Sequence, residues 1–483
     1  MGSQEPSSIL SIIDQWGLYT DFYELTMSQG YFIHGLYEKP ASFDYYFRKM
    51  PCSSGYVVFA GLADLLDAIS NFTFSEAALQ RLKNEGFRDD FIQYLKTFKF
   101  QGDIYAPQEG EIVFSNEPII IVKGNVLECQ IIETLLLNII NFQSLIATRA
   151  SRIENVTGPE RLFADFGFRR AHGMGAIQAS RAAIIGGATS TSNVMAAEMY
   201  DLKVMGTMAH AWIQVFDDEL LAFKKYAQVY PDNCVLLVDT YNTLKSGVPN
   251  AILVARELEE KGHRLRAIRI DSGDMAYLSK QARYMLDNAG MPYVKIFSSN
   301  QLDELLIRSL NLQHAPIDGF GVGTRLVTSY DCPALGGVYK LSSFDRKPRM
   351  KLSDDIVKIS LPGGKWVWRF LDKEGTFYRD GILLDDQSPE SISRLFHPTY
   401  KNMNTKVAGL SYQKLQTQVM NAGVITSIER NPYRISDYRK KRLSMLSNET
   451  KRFENPHIYK VGLSKKLWNL RSDLMKVHQK TLK

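Results

Sequence analysis

The sequence of 483 residues holds few cysteines. Cys52, Cys129, Cys234 and Cys332 lie far apart with no paired spacing, which excludes a disulfide framework and a cysteine-based zinc site. Buried thiols are the expectation for all four. No run of eighteen uncharged apolar residues occurs, so no membrane span is expected. The opening "MGSQEPSSILSIIDQWG" lacks the basic region and small-residue cleavage site of a secretory leader, and a cytoplasmic location is expected. There is no internal repeat, no long low-complexity stretch and no G-x-x-x-x-G-K-[ST] loop. Histidine is scarce, at eight residues, and none stands at metal-ligand spacing from His210.

What is present is globular. Hydrophobic residues make up 45% and charged residues 23%, and the length suits two or three domains. A net charge of +6 is mild and suits anionic substrates as readily as nucleic acid. The basic segment near the end ("YRISDYRKKRLSML", "SKKLWNLRSDLMKVHQK") is expected to form solvated helical faces. No stacking aromatics interleave its lysines, which argues against a nucleic-acid-binding role.

Three textures divide the chain. Residues 1–145 mix aromatic strands ("ASFDYYFRKM", "GYVVFAGL") with helical stretches, as in an α+β domain. Residues 146–345 alternate short apolar runs ("RLFADFG", "LKVMGTMA", "CVLLVDTYN", "LRAIRIDSGD", "YVKIFSSN", "IDGFGVGT") with helical patterns, which implies parallel strands with right-handed crossovers. Nearly every run ends in polar groups. Several strands delivering chemistry at their carboxyl ends suit a barrel mouth better than an open sheet, which gathers ligands at one switch point. The expected fold is therefore α/β, an irregular parallel barrel with an N-terminal α+β domain and a smaller C-terminal extension over 346–483.

Several residues stand where chemistry is possible. "GFGVGTRLV" follows a strand, and Gly321, Gly323 and Thr324 offer backbone N–H groups to an anion, although such glycines serve equally as bare turns. "FADFGFRRAHG" sets Arg169 and Arg170 after a strand with Phe166 and Phe168 beside them; arginine suits bidentate phosphate or carboxylate recognition. Adjacent side chains diverge, so one arginine is expected at the mouth and the other outside. In "RAIRIDSGDM", Arg269 and Asp271 share strand parity, and with Asp274 they make a cation beside carboxylates, suited to an anionic ligand with hydrated Mg²⁺ or to an internal ion pair. "VLLVDTYN" presents Asp239 after its strand. His210, in "GTMAHAWIQ", follows a run read as a buried strand; a neutral imidazole there suits a base, a ligand, a nucleophile or a satisfied structural role.

"YTDFYELTMSQGYF", "FADFGFRRAHG", "GGATSTSN", "GTMAHAWIQ", "RIDSGDM", "FSSN", "GFGVGTRLV" and "LGGVYKL", in that order from Tyr19 to Leu341, resemble the nicotinate phosphoribosyltransferase family. The basic tail resembles the extension of its longer bacterial members. The resemblance implies a type II phosphoribosyltransferase barrel that makes nicotinate mononucleotide and diphosphate from nicotinate and 5-phosphoribosyl-1-diphosphate, coupled to ATP hydrolysis, in NAD salvage. It implies that His210 is phosphorylated by ATP, that Arg269 and Thr207 meet nicotinate, and that Phe166 stacks on the pyridine. It further implies that Arg169 and Arg170 hold phosphates, that Gly321, Gly323 and Thr324 cradle the 5′-phosphate, and that Asp271 and Asp239 serve ribose hydroxyls or Mg²⁺. Tyr23 is implied to reach in from the second subunit of a homodimer. Ser190 falls where nicotinamide-using relatives carry an aspartate, which points to the acid rather than the amide as substrate. Arg149 and Arg152 are left between a phosphate contact and a structural role.

Overall fold

The computed structural model describes residues 16–353, 358–400 and 402–481; most of the segment on which the leader argument rests lies outside them. By contacts the chain forms two compact units, one running to Thr148 and resuming at Ala334, the other Arg149–Pro333.

In the Arg149–Pro333 unit the strands are short and parallel. They are Leu162–Asp165, Ser190–Thr191, Val235–Leu237, Ala267–Ile270, Lys295–Ser299 and Gly319–Val322. The third to sixth pair in chain order, and the sixth returns to pair with the first, from Gly319 opposite Leu162 to Val322 opposite Asp165. An open doubly wound sheet has no such return; these strands curl into an irregular barrel. Its seam lies between the second and third strands, where the chain makes only the Thr191–Val204 bridge.

The side-chain period of two sorts the strands' residues. Leu162, Ala164 and Phe166, Val235, Arg269, Phe297, Gly319 and Gly321 line the interior. Their neighbours Leu236, Ile268, Ile270 and Ile296 pack outward against Val254, Ala255, Leu258, Ala282 and Leu286 of the crossover helices Val248–Glu260 and Met275–Asn288. Side-chain caps start the helices Val194–Tyr200, Met275–Asn288 and Glu304–Leu312 where the strand ends hand over. Asn193 accepts from Ala196 N at 3.1 Å, Asp274 from Tyr277 N at 3.0 Å and Asp303 from Leu306 N at 2.8 Å. Asp274, read from the sequence as part of a ligand cluster, is thus a helix cap.

The other unit is built on antiparallel pairing. Pro40–Phe47 lies between Gly337–Phe344 and Ile120–Asn125, and Thr417–Asn421 adds to Asp103–Ala106 in the same sheet. Sequence texture separates residues 1–145 from 346–483, yet strand pairing joins them. A second sheet holds Lys365–Leu371 and Phe377–Leu384 with strands from 394–414 and 461–463. Among the described residues one helical stretch, Val126–Thr157, is long and apolar enough to cross a membrane, but 72% of its apolar window is buried inside the protein. Cys129 and Cys234 are buried, as expected of apolar thiols, whereas Cys52 and Cys332 are only half-buried.

Candidate active site

Residues 202–206 correct one expectation. The run preceding His210 is not a buried strand: Lys203 and Val204 are exposed and only Val204 bridges to Thr191. His210 instead opens the short helix His210–Gln214. Its Nδ1 lies 3.1 Å from Thr240 Oγ1 and its Nε2 3.8 Å from Asp271 Oδ2. The ring is partly open to solvent.

Arg269 stands on the fourth barrel strand, and its Nη1 donates to Thr207 Oγ1. Its Nε is buried without an acceptor. Burial pulls the guanidinium below its ordinary value, while Asp271 and Asp239 draw it back up. Asp271 accepts from Ser299 Oγ, and Asp239 Oδ2 accepts from Asp271 N at 2.9 Å and Ser272 Oγ at 2.6 Å. Asp239 Oδ1 is buried with no partner. The carboxylates are thus held by hydroxyl and amide donors that keep them beside Arg269 without a direct pairing that would close it.

The turn after the first strand is shaped by Asp165. Its fully buried carboxylate accepts from Gly167 N, Ser180 Oγ and Thr191 Oγ1, each at 2.8 Å. Burial raises its carboxyl above the usual range, against the pull of those donors. This clamp sets the 3₁₀ turn Phe168–Arg170, whose tightness brings Arg169 and Arg170 to one cavity instead of sending them apart. The glycines opposite have a steric role. A Cβ on Gly321 would sit 2.4 Å from the Phe166 ring, and one on Gly323 3.2 Å from Phe166 O, so their bareness seats Phe166.

Two adjoining cavities result. One, of about 690 Å³, fills the barrel interior and includes Ser190, whose buried Oγ has no partner. The other, of about 370 Å³, lies at the mouth and includes His210, Arg169, Arg170, Asp271, Gly323 and Thr324. Phe166, Gly206, Thr207, Arg269 and Gly321 line both. The geometry therefore gathers the sequence-predicted residues of this unit, with Asp239 holding Asp271 and Ser272 from behind.

Three of the residues singled out in the sequence lie outside both cavities. Arg149 and Arg152 are structural: they donate to the buried Glu304 Oε1 at 2.6 and 2.9 Å, and Arg149 also pairs with Asp331 at 2.8 Å. Tyr23 lies in the other unit, 46% exposed on helix Phe22–Ile33.

Sequence reasoning missed the supports. Thr240 at His210, Ser299 at Asp271, and Asn300 and Gln301, with φ of 88° and 46° at the mouth, were visible only as polar runs after strands. Among the described residues no three histidine, cysteine or acidic side chains form a metal cluster.

Comparison with known proteins agrees along the chain. The nicotinate phosphoribosyltransferase (NAPRTase) N-terminal domain pattern matches residues 18–141, the family pattern 162–360 and the C-terminal domain pattern 364–471. Nicotinate phosphoribosyltransferase of Bacillus subtilis (strain 168) is 42% identical over 96% of both chains, and that of Caenorhabditis elegans 34% identical over 93% of this chain and 92% of its own. The crystal structure of human nicotinic acid phosphoribosyltransferase superposes with a TM-score of 0.85 at 27% identity, covering 95% of this chain and all of that one. Nicotinate-nucleotide pyrophosphorylase from Pyrococcus furiosus shares the fold, with a TM-score of 0.70 at 23% identity over 92% of this chain and 99% of its own. With its three regions matched in order, the chain belongs to the nicotinate phosphoribosyltransferase family.

Proposed function

We propose that the chain forms nicotinate mononucleotide and diphosphate from nicotinate and 5-phosphoribosyl-1-diphosphate, and that ATP hydrolysis drives this through transient phosphorylation of His210. The observation that carries the reading is Arg269, a half-buried guanidinium whose Nε is itself buried and unpaired, in the wall shared by the two cavities. It suits a carboxylate on an aromatic ring, with Phe166 offering its face and Ser190 and Thr207 their hydroxyls. An aspartate at position 190 would repel that carboxylate; a serine does not.

The pyridine nitrogen lone pair attacks C1 of the ribose as the C1–oxygen bond breaks, and the bonding pair leaves with diphosphate. The nitrogen is already unprotonated near neutral pH, so no general base is required. Catalysis lies in positioning and charge stabilisation, with Arg169 and Arg170 facing the phosphates. Asp271 and the unpaired Oδ1 of Asp239 are hard oxygen donors that fit Mg²⁺, which when bound would neutralise diphosphate charge.

In the His210 tautomer whose Nδ1–H donates to Thr240, 3.1 Å away, Nε2 keeps the lone pair that attacks the γ-phosphorus of ATP, releasing ADP. Water later takes the phosphoryl group and regenerates the imidazole, and Asp271 beside Nε2 steadies the charged ring. A homodimer in which Tyr23 enters the neighbouring site belongs to the same reading, supported by the exposed aromatic cluster Tyr19, Phe22 and Tyr23. So does action in the cytoplasm.

The test is incubation with nicotinate, the ribosyl donor, Mg²⁺ and γ-labelled ATP. Acid-labile label on the protein and nicotinate mononucleotide in solution are expected. His210→Ala should abolish the label and weaken ATP-driven turnover, while uncoupled transfer survives and reports a folded protein. Label persisting in that variant overturns the phosphate carrier, and nicotinamide turning over as well as nicotinate overturns the substrate.

A further inference from the structure

A cavity of about 260 Å³ in the unit formed by the chain ends shares no lining residue with the barrel cavities. Arg471, on helix Lys465–Thr481, lines it and is 8% exposed. Its Nη1 donates to Pro398 O at 2.5 Å, and its Nε is buried with no acceptor. No carboxylate pairs with it among the described residues: burial alone lowers its pKa, with no acidic group drawing it back. A buried charge without a counter-charge is costly, and proteins ordinarily pair it.

Further donors line the wall. Lys460 lines the cavity. His397 Nδ1 accepts from Thr399 N at 3.0 Å and Tyr400 N at 3.1 Å, so the ring proton sits on Nε2 and that nitrogen is a donor. Asp44, the single carboxylate among the described lining residues, is taken by Lys365 Nζ at 2.5 Å.

We propose that this cavity binds a small, doubly charged oxyanion of the phosphate class, seated on Arg471 with Lys460 and His397 as further donors. Guanidinium and ammonium together match a dianion, and the guanidinium fork matches its oxygens. The volume falls below the ~300 Å³ at which sites for larger organic ligands begin, which favours free inorganic phosphate over a nucleotide's phosphoryl group. The inference is independent of the transfer reaction.

Crystals of the full chain soaked in selenate, a tetrahedral dianion with a strong anomalous signal, test it directly. An anomalous peak beside the Arg471 guanidinium is expected, and its absence while the barrel mouth fills overturns the proposal. In solution, inorganic phosphate should raise the melting temperature of the wild type, and Arg471→Met should weaken the Arg471-dependent part about tenfold or more while Arg471→Lys keeps most of it. An equal phosphate response in wild type and Arg471→Met counts against the site. Adenosine monophosphate competing as strongly as phosphate overturns the inorganic-ion assignment. Should the methionine variant fail to fold, the wild-type selenate map decides alone.

Discussion

Two arginines, one in each unit, show how the same side chain is put to opposite uses. Arg369 is wholly buried and fully answered. Its Nε and Nη2 grip Asp380 at 2.9 and 2.7 Å, Nη1 meets Glu111 at 2.7 Å and Nη2 also donates to Ile112 O at 2.8 Å. Burial by itself would lower its pKa, but Asp380 and Glu111 raise it well above the ordinary value. Among the described residues Arg269 hydrogen-bonds only to the Thr207 hydroxyl, and there burial prevails over the pull of Asp271 and Asp239. A guanidinium saturated by its own protein is a structural staple; one left with open donors in a cavity is held ready for a ligand.

The contrast breaks most sharply under substitution. Arg369→Met takes the paired cation from buried Asp380 and leaves Glu111 to Arg442 alone, and should lower unfolding free energy by about 3–5 kcal/mol, read by denaturant titration, with kcat/KM of the folded enzyme little changed. Arg269→Met should do the reverse: stability holds or rises slightly, while kcat/KM for nicotinate falls roughly a hundredfold, about 3 kcal/mol. If both variants lose stability alike, the distinction between staple and ligand group fails.

A smaller effect sharpens the comparison for acids. Glu24 is buried on helix Phe22–Ile33, its Oε1 unpartnered. Burial raises its pKa to about 7, against a hydrogen bond of 2.7 Å from Gln130. A carboxyl whose pKa is higher folded than unfolded favours folding when protonated, so stability should increase as pH falls from about 7 towards the ordinary carboxylate range. Glu24→Gln should flatten that slope, raising the melting temperature at pH 8 and leaving it nearly unchanged at pH 5. An unaltered slope would assign the pH dependence elsewhere, with neighbouring Glu133, also raised by burial, the next to vary.

Much of the barrel was legible because strand and helix periods are local properties. Alternation placed Arg269 and Asp271 on one side, and both line the mouth. Other features depend on partners distant in sequence. Asp165 is only one more polar group at a strand end until Ser180 and Thr191 are seen to consume it. Gly321 reads as a phosphate turn, and the Phe166 ring that a Cβ there would strike adds a steric demand that the sequence does not show. The 202–206 run is apolar enough for a strand, but only one bridge reaches it. The later strands of residues 346–483 carry no mark of which sheet they will join, since a β-strand's partner is set by tertiary pairing.

The sequence by itself determined the parallel strand–helix rhythm, the family motifs and the inventory of groups able to do chemistry, because these follow from backbone period and side-chain type along contiguous residues. Only the tertiary structure decided which of those groups are consumed by the protein and which stay open. It closed Asp165, Asp274 and Arg369, and left Arg269, Ser190, Asp239 and Arg471 each with a buried polar atom unmatched. That choice rests on distances between residues far apart in the chain, which no local pattern encodes.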